Sequence, residues 1–501
     1  TRGQPAALPT RRSPMNALTR PAAVARTWPR PKLAHVGGFE ALEQELNYVV
    51  PNAEIRGAIP EAVRGTFLRI GPGRNRIGGQ KFGHWFDGDG MLHAATFGAG
   101  GVHYRNRYVR TPKYVKETAA QKIVMRSFGH NAPGGPLKNI GKGPANCANT
   151  SMSWHGGRLL CLWEGGRPWQ VDPATLATVG ECNFDGKLSK LNAFSAHGTL
   201  DPRSGCYYNF GVGVGPKGPG INMSRIKPRG DLDRKGYFPV KVFGSFCHDF
   251  ALTEHYAVFF VSPIYLKHPL QFGLGLKSFD ECMDYDPGKG MYAHVVSLDT
   301  FREVKTFELD PFIAIHYANC WEDDGEVVIN VTRFDSWGVN AALRNLFTYE
   351  NDEGGRLWRY RLDMNTGRVR DEQLPGHSKM EFPQWDPRLT GVKSDVTWAA
   401  VILDNETPGF FNGIERVQES TGEVKLRDFG AGRFTSEAMF VPGAPGAPLE
   451  QGWLACAVYD ASTARSDIVL LDAQTLDDVA VVPLRNHIPF GFHCGYTTDA
   501  L

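Results

Sequence analysis

The sequence predicts an all-β fold, and a β-propeller is the arrangement that its pattern favours. From about residue 64 onward, short runs of β-branched and aromatic residues are separated by Gly, Pro, Asp and Asn, with few long helical periods. A turn pattern also recurs, in which Asp is followed three residues later by Thr or Ser, as at Asp172, Asp201, Asp363 and Asp472. Hairpins repeated over hundreds of residues are typical of propeller blades, and a set of separate β-sandwiches is the alternative.

Individual elements follow from the same pattern along the chain. Leu and Phe recur at three- and four-residue spacing in residues 39–47 and 339–348, which predicts two helices. The run DGDG at residues 87–90 is interpreted as a turn that closes a hairpin, because no Glu follows at the spacing of a calcium-binding EF-hand loop. Strands are predicted at residues 158–163, 206–212, 293–298, 326–334 and 467–471.

Composition excludes several classes of protein. Of the 501 residues, 42% are hydrophobic and 22% are charged, as in globular proteins with a large core. The net charge of +2 comes without basic blocks in the body of the chain, so nucleic acid is not a predicted partner. The nine cysteines include no C-x-x-C pair, which favours reduced thiols over disulfides or a zinc ribbon. No apolar run approaches the roughly 20 residues that span a bilayer, so no transmembrane segment is predicted.

The first 39 residues differ from the rest of the chain. No acidic residue occurs before Glu40. This bias is typical of an organelle transit peptide or its remnant, and a solvated basic tail is the alternative. We therefore predict a disordered basic leader at residues 1–39 and one domain at residues 40–501, and we favour a plastid (chloroplast) location over the cytoplasm. The basic residues of this segment are Arg2, Arg11, Arg12, Arg20, Arg26, Arg30 and Lys32.

Four of the fifteen histidines share a context, since each follows a small or apolar segment near the start or end of a strand. Their separations are too long for a helical H-E-x-x-H motif or a zinc finger, so tertiary structure must assemble any common site. The inner strands of a propeller point at one axis, where histidines from several blades can meet at a single ion. Neutral imidazoles suit Zn, Cu, Fe or Ni, and the pattern alone leaves the metal open. The four residues are His197, His248, His316 and His493.

A set of short motifs resembles one known family, the carotenoid cleavage oxygenases, which are non-haem iron enzymes of carotenoid, apocarotenoid and stilbene metabolism. The motifs run in the family's order from about residue 48 to residue 496. They are RIGPG at residues 69–73, HWFDGDGM at 84–91, ANT at 148–150, LWEGG at 162–166, HD at 248–249, EFP at 381–383 and GFH at 491–493.

The resemblance implies a seven-bladed β-propeller with a dome of loops and short helices over its iron-bearing face. It also implies that Fe(II) is held on the axis by His197, His248, His316 and His493, and that three glutamates, Glu164, Glu381 and Glu437, accept hydrogen bonds from these imidazoles. Thr150 matches the position beside the open iron site, where a methyl or hydroxyl group restricts access. Two neighbours of the matched histidines depart from the family, because Gly198 stands where Pro is frequent and Cys494 where Gly is usual.

The reaction that the resemblance implies is oxidative cleavage of a carbon-carbon double bond by O2, the co-substrate, to give two carbonyl products. Stilbene-cleaving relatives tend to carry Lys directly before the glutamate of the LWEGG-like motif, whereas this chain has Trp163. An apolar aromatic residue there favours a lipophilic polyene, that is, a carotenoid or apocarotenoid. Stilbene-type cleavage, isomerisation on the same iron scaffold, and a non-catalytic propeller that binds a lipophilic ligand are the alternatives. The residues expected to line the substrate tunnel are Trp163, Phe246, Trp321, Phe410 and Phe411.

A lipophilic substrate resides in membranes, so we expect an apolar patch at the tunnel mouth that attaches the protein peripherally. The candidate is residues 264–277, IYLKHPLQFGLGLK, which mix Leu and Phe with Lys and contain Pro and Gly. A loop that simply packs on the propeller is the alternative.

Overall fold

The structure, a computed structural model, describes residues 28–215, 217–240, 247–348, 350 and 353–501. Seven antiparallel sheets of four or more strands surround a common axis as the blades of a propeller, which confirms the predicted fold class. Because hairpins connect most consecutive strands, strands that follow one another in the sequence lie side by side in a sheet. Innermost strands of several adjacent blades contact one another, such as Ile313–Asp323 with Ala251–Leu252 and with Met380–Gln384.

The blades are numbered in order around the ring, and their strands are given from the axis outward. Blade 1 contains Cys494–Thr497, Gly65–Arg74, Asp89–Gly98, Gly101–Tyr108 and Asn47–Pro51. Blade 2 contains Ser151–His155, Arg158–Leu162, Trp169–Val171 and Thr178–Glu181. Blade 3 contains Gly198–Leu200, Tyr207–Gly215, Gly218–Ile226 and Leu232–Pro239. Blade 4 contains Ala251–Leu252, Tyr256–Val261, Met291–Ser297 and Glu303–Leu309.

Blades 5 to 7 complete the ring. Blade 5 contains Ile313–Asp323, Glu326–Phe334, Arg356–Asp363 and Val369–Gln373. Blade 6 contains Met380–Gln384, Val396–Val401, Gly413–Gln418 and Glu423–Asp428. Blade 7 contains Met439–Pro442, Arg433–Phe434, Gly452–Asp460, Arg465–Asp472, Asp478–Pro483 and Arg56–Gly57. Two small hairpins pair Arg76–Ile77 with Gln80–Lys81 and Ile264–Leu266 with Met283–Tyr285.

The helices are short. The α-helices are Pro112–Ala120, Pro136–Asn139, Pro269–Gly273 and Val339–Arg344, and the 3-10 helices are Pro31–Phe39, Asn52–Glu54, Trp85–Asp87, Asp280–Cys282, Pro287–Lys289 and Pro387–Leu389. Within the described ranges, every helix is too short or too polar to cross a bilayer.

The ring closes where Cys494–Thr497 pairs with Gly65–Arg74 in blade 1. The backbones of the two segments touch just before this pairing, because a Cβ atom on Gly71 would lie 2.2 Å from the Cα of Gly491. Glycine is therefore required at this close approach. The contact holds residues 491–493 against strand Gly65–Arg74. The N–H of Ile70, in that strand, donates to the carbonyl of His493 at 3.0 Å.

The predicted strands are found, and their burial explains why they read as apolar runs. Glu326–Phe334 matches its predicted bounds, and six consecutive residues within it are buried because neighbouring blades cover both faces of the sheet. The other four predictions overlap Arg158–Leu162, Tyr207–Gly215, Met291–Ser297 and Arg465–Asp472, shifted by one to three residues at their ends.

The helix predictions need correction. The helix expected at residues 39–47 is wrong: the chain forms the 3-10 helix Pro31–Phe39, with Pro at its first position, and then extends towards Asn47–Pro51. The helix expected at residues 339–348 ends early, at Arg344. The part of the expected leader that the structure describes, residues 28–39, is ordered, because His35 and Phe39 are buried. The prediction for residues 1–27 lies outside the described residues.

Buried charges hold the dome to blade 1. Asp89 accepts hydrogen bonds from Arg74 Nε at 2.7 Å and from Lys113 Nζ at 3.1 Å, and Lys113 also pairs with Glu117 at 3.1 Å. Lys113, Asp89 and Glu117 are fully enclosed, so each charge depends on its partners. The interpretation of residues 87–90 as a turn that closes a hairpin needs correction, because they lead from the 3-10 helix Trp85–Asp87 into the strand Asp89–Gly98. Asp89, at the start of that strand, anchors helix Pro112–Ala120.

Candidate metal centre

The four histidines that share a sequence context meet at the propeller axis. Their ligand nitrogen atoms all lie within 4.8 Å of one another. The Nε2 atom of His248 is 3.0 Å from Nε2 of His197 and 3.2 Å from Nε2 of His316. Each ring is carried in or beside the innermost strand of its blade: His197 by blade 3, His248 by blade 4, His316 by blade 5 and His493 by blade 1.

Burial sets the protonation of the cluster. Loss of water, and then repulsion from the neighbouring imidazoles, hold the pKa of His197 and of His316 well below the usual range. Burial also opposes the cationic form of His248, but Glu164, together with the charges of Asp249 and Glu381, outweighs it and raises the pKa of that imidazole. Neutral imidazoles keep the lone pair that binds a metal ion.

Three glutamates orient the rings from outside the cluster. Glu164 lies 2.8 Å from Nδ1 of His248, Glu381 lies 2.5 Å from Nδ1 of His316, and Glu437 lies 3.3 Å from Nδ1 of His493. A carboxylate on Nδ1 fixes the tautomer and leaves Nε2 as the ligand atom. Each of these glutamates comes from a blade that supplies no histidine, namely blades 2, 6 and 7.

His197 is held differently from the other three histidines. Among the described residues, the nearest carboxylate to its Nδ1 is that of Asp249, at 3.8 Å, which is beyond hydrogen-bond distance. Burial raises the pKa of Asp249 to about 7. The N–H of His197 instead donates to Ser195 Oγ at 3.2 Å, which fixes the backbone on which the ring is mounted.

The donor set fits a divalent transition metal. Two neutral imidazoles whose Nε2 atoms face each other at 3.0 Å bring lone pairs together unless a proton or cation lies between them. The low pKa of His197 and His316 keeps the lone pairs of these two rings available to a metal ion. Four nitrogen donors without thiolate suit iron among other metals and leave coordination positions for exogenous ligands.

A cavity of about 630 Å³ adjoins the histidines. Trp163, Phe410, Phe411 and Thr150 line it, and the hydroxyl of Thr150 donates to Asn149 Oδ1 at 3.0 Å. The expectation for Trp321 is wrong, because this residue lies further along the strand of His316, enclosed between blades under the guanidinium of Arg359. The expectation for Phe246 falls outside the described residues.

Phe382 is a site residue that the sequence reasoning missed. Its ring stacks on His316 at a centroid distance of 5.3 Å and meets His493 edge-on at 5.4 Å. The residue lies in a bulge of strand Met380–Gln384 and has a φ of 56°, which is unusual outside glycine. The EFP motif contained it, but sequence alone does not reveal a bulge that turns a ring towards the axis.

Residues 264–277 contribute to both the cavity and the surface. Leu266, Pro269 and Phe272 line the cavity, whereas Leu270 and Leu276 expose 72% and 55% of their surface. The segment packs beside helix Pro136–Asn139, through the hydrogen bond from Gly141 N–H to the Gly273 carbonyl at 2.9 Å. Leu137 and Ile140 of that neighbouring region, and Leu274, are exposed as well.

Comparison with known proteins places these features in a family. Residues 39–498 match the family model described as retinal pigment epithelial membrane protein. The chain is 33% identical over 470 residues to apocarotenoid-15,15'-oxygenase of Synechocystis, which covers 91% of this chain and 94% of that protein. It is 30% identical over 503 residues to a carotenoid 9,10(9',10')-cleavage dioxygenase of Crocus sativus, with coverage of 90% and 86%. The crystal structure of cobalt-substituted Synechocystis ACO aligns with a TM-score of 0.85 at 32% identity, over 93% of this chain and 98% of that one.

The first prediction concerns metal stoichiometry. Replacing His197, His248, His316 or His493 singly by Ala should reduce bound metal to a trace, because each ring supplies one of four converging donors. Metal content after anaerobic loading with Fe(II) and desalting, determined by mass spectrometry, measures this. His255→Ala is the matched control, since His255 follows His248 by seven residues, is exposed, and pairs with Glu322 instead. Full occupancy in two of the four variants would refute the assignment.

The second prediction concerns the glutamates. Glu381→Gln and Glu437→Gln keep the side-chain shape but lose the charge, so metal affinity should fall by about 10- to 100-fold in each. The effect should be larger for Glu381, because its contact with the imidazole is 2.5 Å rather than 3.3 Å. Glu415→Gln controls for loss of a buried carboxylate elsewhere, as Glu415 is buried and accepts from the His377 backbone. Unchanged affinity in both site variants would show that the carboxylates do not orient the rings.

Proposed function

Because the chain belongs to the family of retinal pigment epithelial membrane protein and the carotenoid cleavage oxygenases, we propose that it is an Fe(II)-dependent dioxygenase. Its proposed substrate is a carotenoid or apocarotenoid, of which it cleaves one carbon-carbon double bond with O2 to give two carbonyl products. The observation that carries this proposal is a cluster of four histidines, three of which, His248, His316 and His493, line one large, mostly apolar cavity.

In the proposed reaction, the protein binds the substrate in the cavity and positions it beside the histidines. Aromatic side chains such as Trp85, Trp163 and Phe492 form walls that bury a hydrocarbon chain and exclude water. Fe(II), when bound, would supply the activation of O2, which is the chemistry that side chains cannot provide. The protein then has to hold one double bond of the substrate beside the histidines and keep the other double bonds away from them.

Trp163 and Thr150 are proposed to shape the reacting end of the cavity. Trp163 directly precedes Glu164, and its indole presents an apolar surface where a cation would be needed to engage a phenol. This favours a polyene over a stilbene. The hydroxyl of Thr150 is engaged by Asn149, so its methyl group is the part left to restrict access to the metal.

Labelled oxygen tests the proposed reaction. Iron-loaded protein is incubated under ¹⁸O2 with carotenoids, apocarotenals and resveratrol, and the products are identified by mass spectrometry at short times, before carbonyl oxygen exchanges with water. Label in both carbonyl products of a polyene is the expected result. Cleavage of resveratrol alone would favour a stilbene substrate, unlabelled geometric isomers would favour an isomerase, and binding without turnover that survives iron removal would favour a non-catalytic propeller.

We also propose that the protein contacts a membrane through the patch formed by Leu137, Ile140, Leu270, Leu274 and Leu276. The same segment that exposes three of these leucines lines the cavity with Leu266, Pro269 and Phe272. A lipophilic substrate could therefore pass from a bilayer into the cavity without crossing water. A plastid location stays a prediction from the composition of the leader.

Liposome flotation measures this contact. The double variant Leu274→Asp/Leu276→Asp should lose most of its bound fraction, because charges on an apolar patch oppose insertion at the headgroup boundary. Leu426→Asp/Leu449→Asp is the control, since both leucines are about half exposed and lie outside the patch. Equal flotation of the wild type and the patch variant would remove this patch from consideration and leave the metal centre untouched.

A further inference from the structure

A lone histidine lies in the cavity wall away from the metal centre. His35 belongs to the 3-10 helix Pro31–Phe39, is 2% exposed and lines the cavity. Its Nδ1 atom is enclosed and has no hydrogen-bond partner within the described part of the chain. Burial lowers the pKa of His35 to about 4, so the ring is neutral near neutral pH.

The surroundings of His35 are aromatic rather than polar. Its ring stacks on Phe410 at a centroid distance of 5.6 Å and an interplanar angle of 13°, and the edges of Phe39 and Phe434 lie at 5.9 and 5.8 Å. Phenylalanine would fill this position and remove the unsatisfied nitrogen. An unpartnered polar group at a buried position calls for an explanation, such as a bound molecule that completes its hydrogen bonds.

Other polar side chains of the cavity have partners. Thr150 donates to Asn149, Ser195 contacts Glu164 and the His248 carbonyl, and Asn340 contacts His84 and Asp280. Outside the four-histidine cluster, His35 is the one imidazole among the described residues that line the cavity. Because Nδ1 is enclosed, Nε2 is the ring nitrogen through which His35 can hydrogen-bond a ligand in the cavity.

A continuous aromatic wall joins His35 to the metal centre. His35 contacts Phe410, Phe410 contacts Phe411, Phe411 contacts Phe382 and Phe382 stacks on His316, in four steps of 5.3 to 5.7 Å between ring centroids. An extended ligand that lies along this wall can reach His35 with one end while its middle lies beside the histidines.

We propose that His35 is a specificity-determining residue that hydrogen-bonds the polar end group, a hydroxyl or carbonyl, of an otherwise apolar polyene. A neutral imidazole has one donor and one acceptor, so it can accept from a hydroxyl or donate to a carbonyl. The inference rests on the proposed function for the class of ligand. The family match begins at residue 39, so the resemblance assigns no role to residue 35.

The test uses His35→Phe in the full chain with two polyenes of equal length, one carrying a terminal hydroxyl or aldehyde and one ending in hydrocarbon. Binding is followed by quenching of tryptophan fluorescence, since Trp85 and Trp163 line the cavity, and cleavage by kcat/KM. The wild type should prefer the polar-ended polyene by about 3- to 10-fold, the range expected for one hydrogen bond. His35→Phe should lose this preference while it keeps wild-type iron content and affinity for the hydrocarbon. His35→Gln, which retains a donor and an acceptor, should recover part of it.

Two outcomes are distinguishable from the expected one. An equal preference in the wild type and in folded His35→Phe and His35→Gln would overturn the role of His35 while the proposed function stands. Failure of the wild type to bind or cleave any polyene would overturn the proposed function and this inference together.

Discussion

The convergence of four imidazoles on one axis is the constraint on which the rest of the structure depends. Nε2 of His248 lies 3.0 Å from His197 and 3.2 Å from His316, so the ring nitrogens form one compact set of donors for a cation. All seven blades serve this arrangement, because four carry a histidine and the other three carry the glutamates that hold the rings. In a propeller, each innermost strand lies near the axis, so side chains from distant parts of the sequence can meet at one point.

The buried glutamates and a metal ion at the centre of the cluster would stabilise each other through their opposite charges. Glu381 and Glu437 are buried, and burial alone raises the pKa of Glu381 to about 7. A divalent cation at the centre would offset that cost, so the ion and the carboxylates stabilise each other across the imidazoles. His197 lacks such a carboxylate and depends on Ser195 and its backbone for position, which makes it the least constrained of the four rings.

The sequence predicts the architecture and the histidines better than the walls of the cavity. Strand Glu326–Phe334 and the four histidines could be identified because a local pattern or a short motif carries each of them. Trp321 and Phe382 could not be placed, since a bulge and the distance along a strand decide whether a ring faces the axis. The sequence did not identify His35, because its burial depends on Phe410 and Phe434, nearly 400 residues away along the chain.

The closure of the ring and the fourth histidine are adjacent, since His493 directly precedes the strand that pairs with Gly65–Arg74. A metal ion that binds four histidines binds the closed ring and not the open one, so by mass action it must also stabilise the closure. The coupling is reciprocal. Without such an ion, a larger fraction of the molecules would have strand Cys494–Thr497 separated from Gly65–Arg74, so the last residues of the domain would be the first to open.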